Sequence, residues 1–250
     1  LNNGKINFAI TGNVSFNIIR NSTVIEEGKC YQNYILNEGE QIDIIATKKS
    51  IYGYLSVSGG FELEKSWDSF SINTKAQIGS NNGKKYSINE KIFIKKSILE
   101  NVKHKKIDYK NLNNNIVRVI KGTNFDYFSK EAKSIFFNEQ YSITRLADRM
   151  GMRLDGPKLE NIVNTNIKSE GLIRGVIQVP ADGKPIILLS DHGTIGGYPK
   201  IAVVISADLD RVAQFSPGTK IQFKEVDLVD AENLFKNYTE ETNKYLDEYS

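Results

Sequence analysis

The stretch Leu188–Ser206, LLSDHGTIGGYPKIAVVIS, sets the reading of the fold. Two apolar runs, PIILLS (185–190) and IAVVIS (201–206), are short, β-branched and bounded by turn residues, which is the signature of buried strands. Between them the chain crowds Asp191, His192, Thr194, Gly196, Gly197, Tyr198, Pro199 and Lys200 into one connection. A plain hairpin needs two to five polar residues there, so the density of polar and backbone-special residues points to a ligand or catalytic site. Working outward, VIQVP (176–180) and KIQFKEV (220–226) read as further strands of the same kind. ADLDRVAQF (207–215) reads as a short helix stopped by Ser216-Pro217-Gly218.

The rest of the chain fits this frame. INFAIT (6–11), VSFNIIR (14–20), QIDIIAT (41–47) and YGYLSVSG (52–59) are strand-like and punctuated by Gly12-Asn13, Glu38-Gly39 and Gly59-Gly60. Their spacing suggests a barrel or sandwich. Residues 95–115 turn polar and basic before the strand-like IVRVIKG (116–122). SKEAKSIFFNEQ (129–140) reads as a helix capped by Asp126 or Ser129, with Ala132, Ile135 and Phe136 on one face. In the tail, Ala231, Leu234, Phe235, Tyr238, Tyr245, Leu246 and Tyr249 recur at three- and four-residue spacing, an amphipathic helix packing on the body of the protein. No solenoid or propeller repeat is present. The expected organisation is an N-terminal β lobe (1–95), a polar linker (96–115), a C-terminal β lobe (116–228) and a C-terminal helix (229–250).

Composition removes several classes of function. A net charge of +3 in 250 residues gives no field to draw the chain to nucleic acid or an anionic membrane, so neither is an expected partner. One cysteine, Cys30, and two histidines are too few and too scattered for a zinc site, and a lone cysteine makes no internal disulfide. Without a run of about 18 apolar residues or a signal-like N-terminus, the expected location is the cytoplasm. There is no GxxxxGK[ST] loop for a nucleotide phosphate and no GxSxG elbow for a serine nucleophile. Cys30, in GKCYQNY, lacks the neighbours that lower a thiol pKa, and His104 sits in a solvated charge run.

The chemistry left over lies between Leu146 and Lys200. LADRMGMRLDGPKL (146–159) presents Arg149 and Arg153, planar and always charged, either pairing locally with aspartates or offered to a carboxylate or developing oxyanion. Gln178 precedes Val179-Pro180, and Asp182-Gly183 turns the chain. Gly196-Gly197 permits close approach and backbone conformations that expose successive N–H groups. Thr194, Tyr198 and Lys200 add donors, while Asp191 and His192 accept or move protons.

These residues carry a resemblance. GYLSVSGGFEL (53–63), RVIKGTNFDYF (118–128), ADRMGMRLDGP (147–157) and the long run from Ser169 to Gly218 resemble, in order, motifs of the family of 5-oxoprolinase C-type subunits. That family is also called KipA-like, allophanate hydrolase subunit 2 and biotin-dependent carboxyltransferase. The resemblance implies a mainly β fold with flanking helices, a cyclophilin-like β-barrel in two lobes, without implying isomerase activity. It implies two partners, a KipI-like B-type subunit with, in addition, an A-type one. It also implies ATP-dependent opening of 5-oxoproline to glutamate, with ATP used by the complex. It leaves two alternatives: carboxyl transfer from biotin, carried elsewhere, to urea or a related amide, and a non-catalytic regulator that binds a KipI-like protein.

Lactam opening and amide carboxylation both build negative charge on oxygen. On the family motifs, Arg149 and Lys200 would neutralise that charge, Asp191 would orient or accept a proton, and Gln178 and Tyr198 would bind the amide. Asp182 and Arg153 come next, with Thr194, Gly196 and Gly197 completing the substrate-binding set. Two departures from the family pattern stand out. Phe70, in SWDSFSI (66–72), replaces an arginine, and the family's first strands have no counterpart before Leu1. The expected consequence is a barrel edge covered by another chain or a second copy.

Overall fold

The computed structural model describes residues 1–48, 50–96, 102–109, 114–163 and 166–249, with the backbone alone for 246–249. As expected, the fold is mainly β with flanking helices. It forms two compact units, one of Leu1–Lys48 with Tyr52–Tyr109, the other of Lys49–Ile51 with Lys110–Ser250.

In the first unit, β1 (Lys5–Gly12), β2 (Val14–Arg20), β3 (Thr23–Gly28), β4 (Asn33–Asn37), β5 (Glu40–Thr47) and β6 (Gly53–Val57) build two three-stranded antiparallel sheets, ordered β4-β1-β6 and β3-β2-β5. Period-two alternation puts Phe8 and Ile10 of β1 and Phe16 and Ile18 of β2 into one buried cluster with Tyr34, Leu36 and Val57. The Phe8 and Tyr34 rings stack with centroids 5.5 Å apart. Part of the polar stretch 96–115 packs in this unit: the Ile107 amide donates to the Tyr31 carbonyl at 2.8 Å, and Tyr109 stacks on Tyr31. Residues 97–101 and 110–113 of that stretch lie outside the described residues. Phe70 is exposed, with the Lys65 ammonium 5.3 Å from its ring centre.

In the second unit, β7 (Ile116–Lys121), α1 (Lys130–Asn138), β8 (Gln140–Ile143), β9 (Gly151–Asp155), β10 (Glu170–Gly171), β11 (Val176–Gln178), β12 (Ile186–Leu188), β13 (Ile195–Gly196), β14 (Lys200–Val204), α2 (Ser206–Ala213), β15 (Lys220–Glu225) and α3 (Leu228–Tyr249) follow in order. Seven strands close a barrel in the order β11-β12-β9-β8-β15-β7-β14, antiparallel except for the parallel β7–β15 pair. One row of paired residues, Met152, Ile187, Ile177 and Ala202, belongs to the buried core. The adjoining row, Arg153, Ile186, Gln178 and Lys200, alternates to the outer face. A bulge after Ile177 shifts this register: Ile177 pairs with Ala202 but Gln178 with Lys200, leaving Ile201 unmatched.

The helices close the barrel's flanks. Ser129 caps α1 by accepting from the Ala132 amide at 3.0 Å, and Phe136 of α1 stacks on Phe223 of β15 with centroids 4.4 Å apart. Buried Asp208 of α2 accepts from the backbone and guanidinium of Arg118 on β7. On α3, Ala231 is buried and Tyr238 donates to Asp210 of α2 at 2.7 Å, whereas Phe235 faces solvent. The paired β10 and β13 form a separate two-stranded ladder outside the barrel order.

Candidate functional site

The outer-face row ends in two buried polar side chains side by side. Gln178 is 6% exposed and the Lys200 side chain 5% exposed, and they stand opposite each other across β11 and β14. Lysine is seldom buried to this degree unless its ammonium is paired. Here it donates to the Glu170 carboxylate, which stays 43% exposed. The Lys200 backbone is held twice by Asn124, itself 3% exposed. The Asn124 side-chain oxygen accepts from the Lys200 amide at 3.1 Å, and the Asn124 amide donates to the Lys200 carbonyl at 3.2 Å. The bulge and this clamp together fix where the lysine side chain leaves the strand.

Glu170 reaches Lys200 from the β10–β13 ladder, in which Glu170 pairs with Gly196. The absence of a side chain at Gly196 lets that ladder lie against the barrel. A Cβ there would stand 2.8 Å from Leu172 Cδ1 and 2.9 Å from Gln178 Nε2. At Gly197 a Cβ would meet the Ile167 carbonyl oxygen at 2.9 Å. Neither glycine has a left-handed φ, so of the two uses of glycine expected from sequence, close approach is the one this segment employs. The Gln178 side-chain amide donates to the Tyr198 carbonyl at 3.3 Å, tying the same segment to the barrel, and the Tyr198 ring is 40% exposed. The Thr194 carbonyl accepts from the Leu172 amide at 2.9 Å, which closes the other end of the ladder.

Arg149 and Asp191 come together elsewhere on this unit. The Arg149 guanidinium meets Asp191 with Nη2 and Nε each 3.0 Å from a carboxylate oxygen, and the Asp191 amide donates to the Arg149 carbonyl at 2.8 Å. This fork lies beyond the Leu188–Gly151 end of β12, whereas Gln178 pairs with Ile186 at the other end. Two strand steps, roughly 7 Å, separate those ends. Arg153, exposed, shares the row two strands from Gln178 and three from Lys200, opposite Ile186. Asp182 accepts from the Lys184 amide at 3.1 Å in the turn between β11 and β12. His192 Nδ1 lies 2.6 Å from the Gly193 carbonyl oxygen.

Two residues of the cluster had no marker in the sequence. Glu170 lies in SEGLIRG, which has no strand periodicity, and it meets Lys200 only through the ladder register. Asn124 lies in KGTNF just after β7, among polar neighbours that do not single it out. Among the described residues, no grouping of histidine, cysteine, aspartate and glutamate could hold a metal ion. No described helix is long and apolar enough to cross a membrane.

Known proteins are similar to this chain in sequence and in fold. Residues 2–225 match the family described as carboxyltransferase domain, subdomain A and B. The chain is 29% identical over 247 residues to the 5-oxoprolinase C-type subunit of Haemophilus influenzae, covering 97% of this chain and 78% of that protein. It is 30% identical over 196 residues to the 5-oxoprolinase C-type subunit of Escherichia coli, covering 78% of this chain and 63% of that protein. The crystal structure of Kluyveromyces lactis urea amidolyase superposes on 97% of this chain with a TM-score of 0.84 at 22% identity, the match taking up 16% of that larger chain. The chain belongs to the carboxyltransferase-domain family.

Proposed function

We propose that this member of the carboxyltransferase-domain family is the C-type subunit of an ATP-dependent 5-oxoprolinase, opening 5-oxoproline to glutamate together with a KipI-like B-type partner and an A-type partner. The observation that carries this reading is the buried Lys200 ammonium beside the Gln178 amide, on a barrel face covered by the β10–β13 ladder. The sequence likeness to two 5-oxoprolinase proteins of the C type supports the choice of substrate.

As a lactam opens, negative charge gathers on the amide oxygen. A fixed ammonium in a dry, low-dielectric setting stabilises that charge far more than water does. In this reading Lys200 lies against the developing oxyanion and Gln178 turns its amide toward the lactam, with Tyr198, whose carbonyl accepts from Gln178, beside them. Asn124 holds the lysine backbone, so little reorganisation accompanies the charge build-up. ATP, when bound by the complex, supplies the driving force for ring opening. This chain contributes the binding and charge stabilisation.

A second reading is carboxyl transfer to urea or a related amide, with biotin carried on another chain or domain. The family description and the urea amidolyase fold favour it. The two readings separate in one experiment: glutamate release from 5-oxoproline by this chain mixed with its cognate A-type and B-type partners, omitting each component in turn. ATP-dependent release that stops when this chain is omitted is the expected result. A stable complex that releases no glutamate, yet carboxylates urea when given a biotin carboxylase and carrier, would transfer the assignment to the second reading.

A further inference from the structure

The ion pair between Lys200 and Glu170 is lopsided in a way that bears on substrate choice. The lysine side chain is 5% exposed, clamped through its backbone by Asn124 on the barrel wall. The glutamate side chain is 43% exposed and belongs to a strand of two residues, Glu170–Gly171, paired only with the equally short β13. A buried ammonium is costly without an anion beside it, so the site demands one negative charge at that point. It does not demand that the charge come from the protein. A carboxylate arriving from solvent could replace Glu170 with the charge at Lys200 conserved, while Glu170 swings into the water that already wets almost half of it.

We propose that Glu170 is an exchangeable counter-ion, and that the carboxylate of an anionic substrate takes its place on one of the three N–H donors of Lys200, leaving another for the lactam oxygen. This inference rests on the reading of Lys200 as part of the reaction site and adds the means by which that site selects a lactam or amide that carries a carboxylate. Glu170 thereby acts as a specificity-determining residue. It competes with anionic substrates and offers nothing to neutral ones, which would have to leave the ion pair intact.

The test is binding by titration calorimetry at fixed salt to the assembled complex, without ATP, using 5-oxoproline and 2-pyrrolidinone, the same lactam without its carboxylate. Glu170→Gln removes the competing charge while keeping size and hydrogen-bonding capacity. The expected result is 5-oxoproline binding about tenfold tighter in Glu170→Gln, the scale of one hydrogen bond to a charged group, with 2-pyrrolidinone unchanged. Lys200→Met should bring the two ligands to similar, weak affinities. Weaker binding of 5-oxoproline to Glu170→Gln, an equal change for both ligands, or no measurable binding of 5-oxoproline to either protein would overturn the exchange. If 5-oxoproline binding fails these criteria while Lys200→Met still abolishes turnover, the exchange is refuted and the catalytic reading of Lys200 stands.

Discussion

Gln178 and Lys200 face each other across β11 and β14 because the bulge between Ile177 and Gln178 takes Ile201 out of register. Without the bulge, a pairing of Ile177 with Ala202 would set Gln178 opposite Ile201, an apolar core residue. One extra residue in one strand therefore brings an amide and an ammonium to the same point on the barrel's outer face. The β10–β13 ladder then covers them, and Glu170 supplies the charge that a buried lysine requires.

The two glycines of that cover should respond differently to a methyl group. At Gly197 the added Cβ meets a backbone carbonyl 2.9 Å away, which cannot yield without moving the 167–169 segment. At Gly196 it meets the ends of the Leu172 and Gln178 side chains, which can turn aside. Gly197→Ala should lower the melting temperature clearly. Gly196→Ala should melt near the parent temperature and lose turnover, because Gln178 has been displaced. Thermal melts and initial rates on both variants decide this.

Arg149 and Asp191 form a two-point ion pair with side chains 49% and 20% exposed. Pairs open to solvent on this scale contribute about 0–1 kcal/mol to stability. Arg149→Ala should therefore leave the denaturation midpoint nearly unchanged. If the guanidinium neutralises charge in the reaction, turnover should fall on the order of 10²-fold. A loss of stability paralleling the loss of rate would reduce Arg149 to a structural role.

Asp208 gives the second unit a pH dependence of known sign. Burial by itself would raise its pKa. The hydrogen bonds from the Arg118 side chain and backbone and the charges of Arg211 and Arg118 outweigh burial and hold it below the ordinary carboxylate range. A depressed folded-state pKa means stability that is full above the unfolded value of about 3.9 and is lost as pH falls through the folded value. Urea unfolding between pH 3 and 7 should show that acid loss in the parent and a smaller one in Asp208→Asn. The variant should also be less stable at pH 7 by about 3 kcal/mol, the penalty for breaking a buried pair.

Tyr141 offers the opposite case. Its ring is fully buried against Phe136 and Phe223, and its hydroxyl has no hydrogen-bond partner among the described residues. Burial, with the Glu139 charge second, pushes its ionisation well above the usual tyrosine range. Tyr141→Phe removes an unsatisfied polar group without opening a cavity. It should raise stability by about 1 kcal/mol, read as a higher denaturant midpoint with an unchanged slope.

Much of the β structure was legible because its strands bury one face. VSFNIIR and KIQFKEV alternate apolar and polar residues, and they became β2 and β15 within a residue of the expected bounds. The strand β3, TVIEEG, gave no such signal: none of its residues is buried, so its place follows from pairing with β2 and not from its own pattern. The strand β4, NYILN, is five residues between asparagines, too short for periodicity to stand out. In the candidate site, Gln178 and Lys200 were marked by polar residues set among apolar runs, and they stand together. That Asp191 would meet Arg149, and Lys200 would meet Glu170 from thirty residues away, depends on ladder register and turn geometry, which no local pattern encodes.

The central claim is that the buried ammonium of Lys200 stabilises charge on the reacting amide. Its most direct test is ATP-dependent glutamate release from 5-oxoproline by the reconstituted complex carrying Lys200→Met, with the variant's melting temperature and complex formation measured alongside. The account predicts a folded, assembled complex whose turnover is lower on the order of 10²-fold or more. Parent-like turnover in a folded, assembled Lys200→Met complex would contradict it.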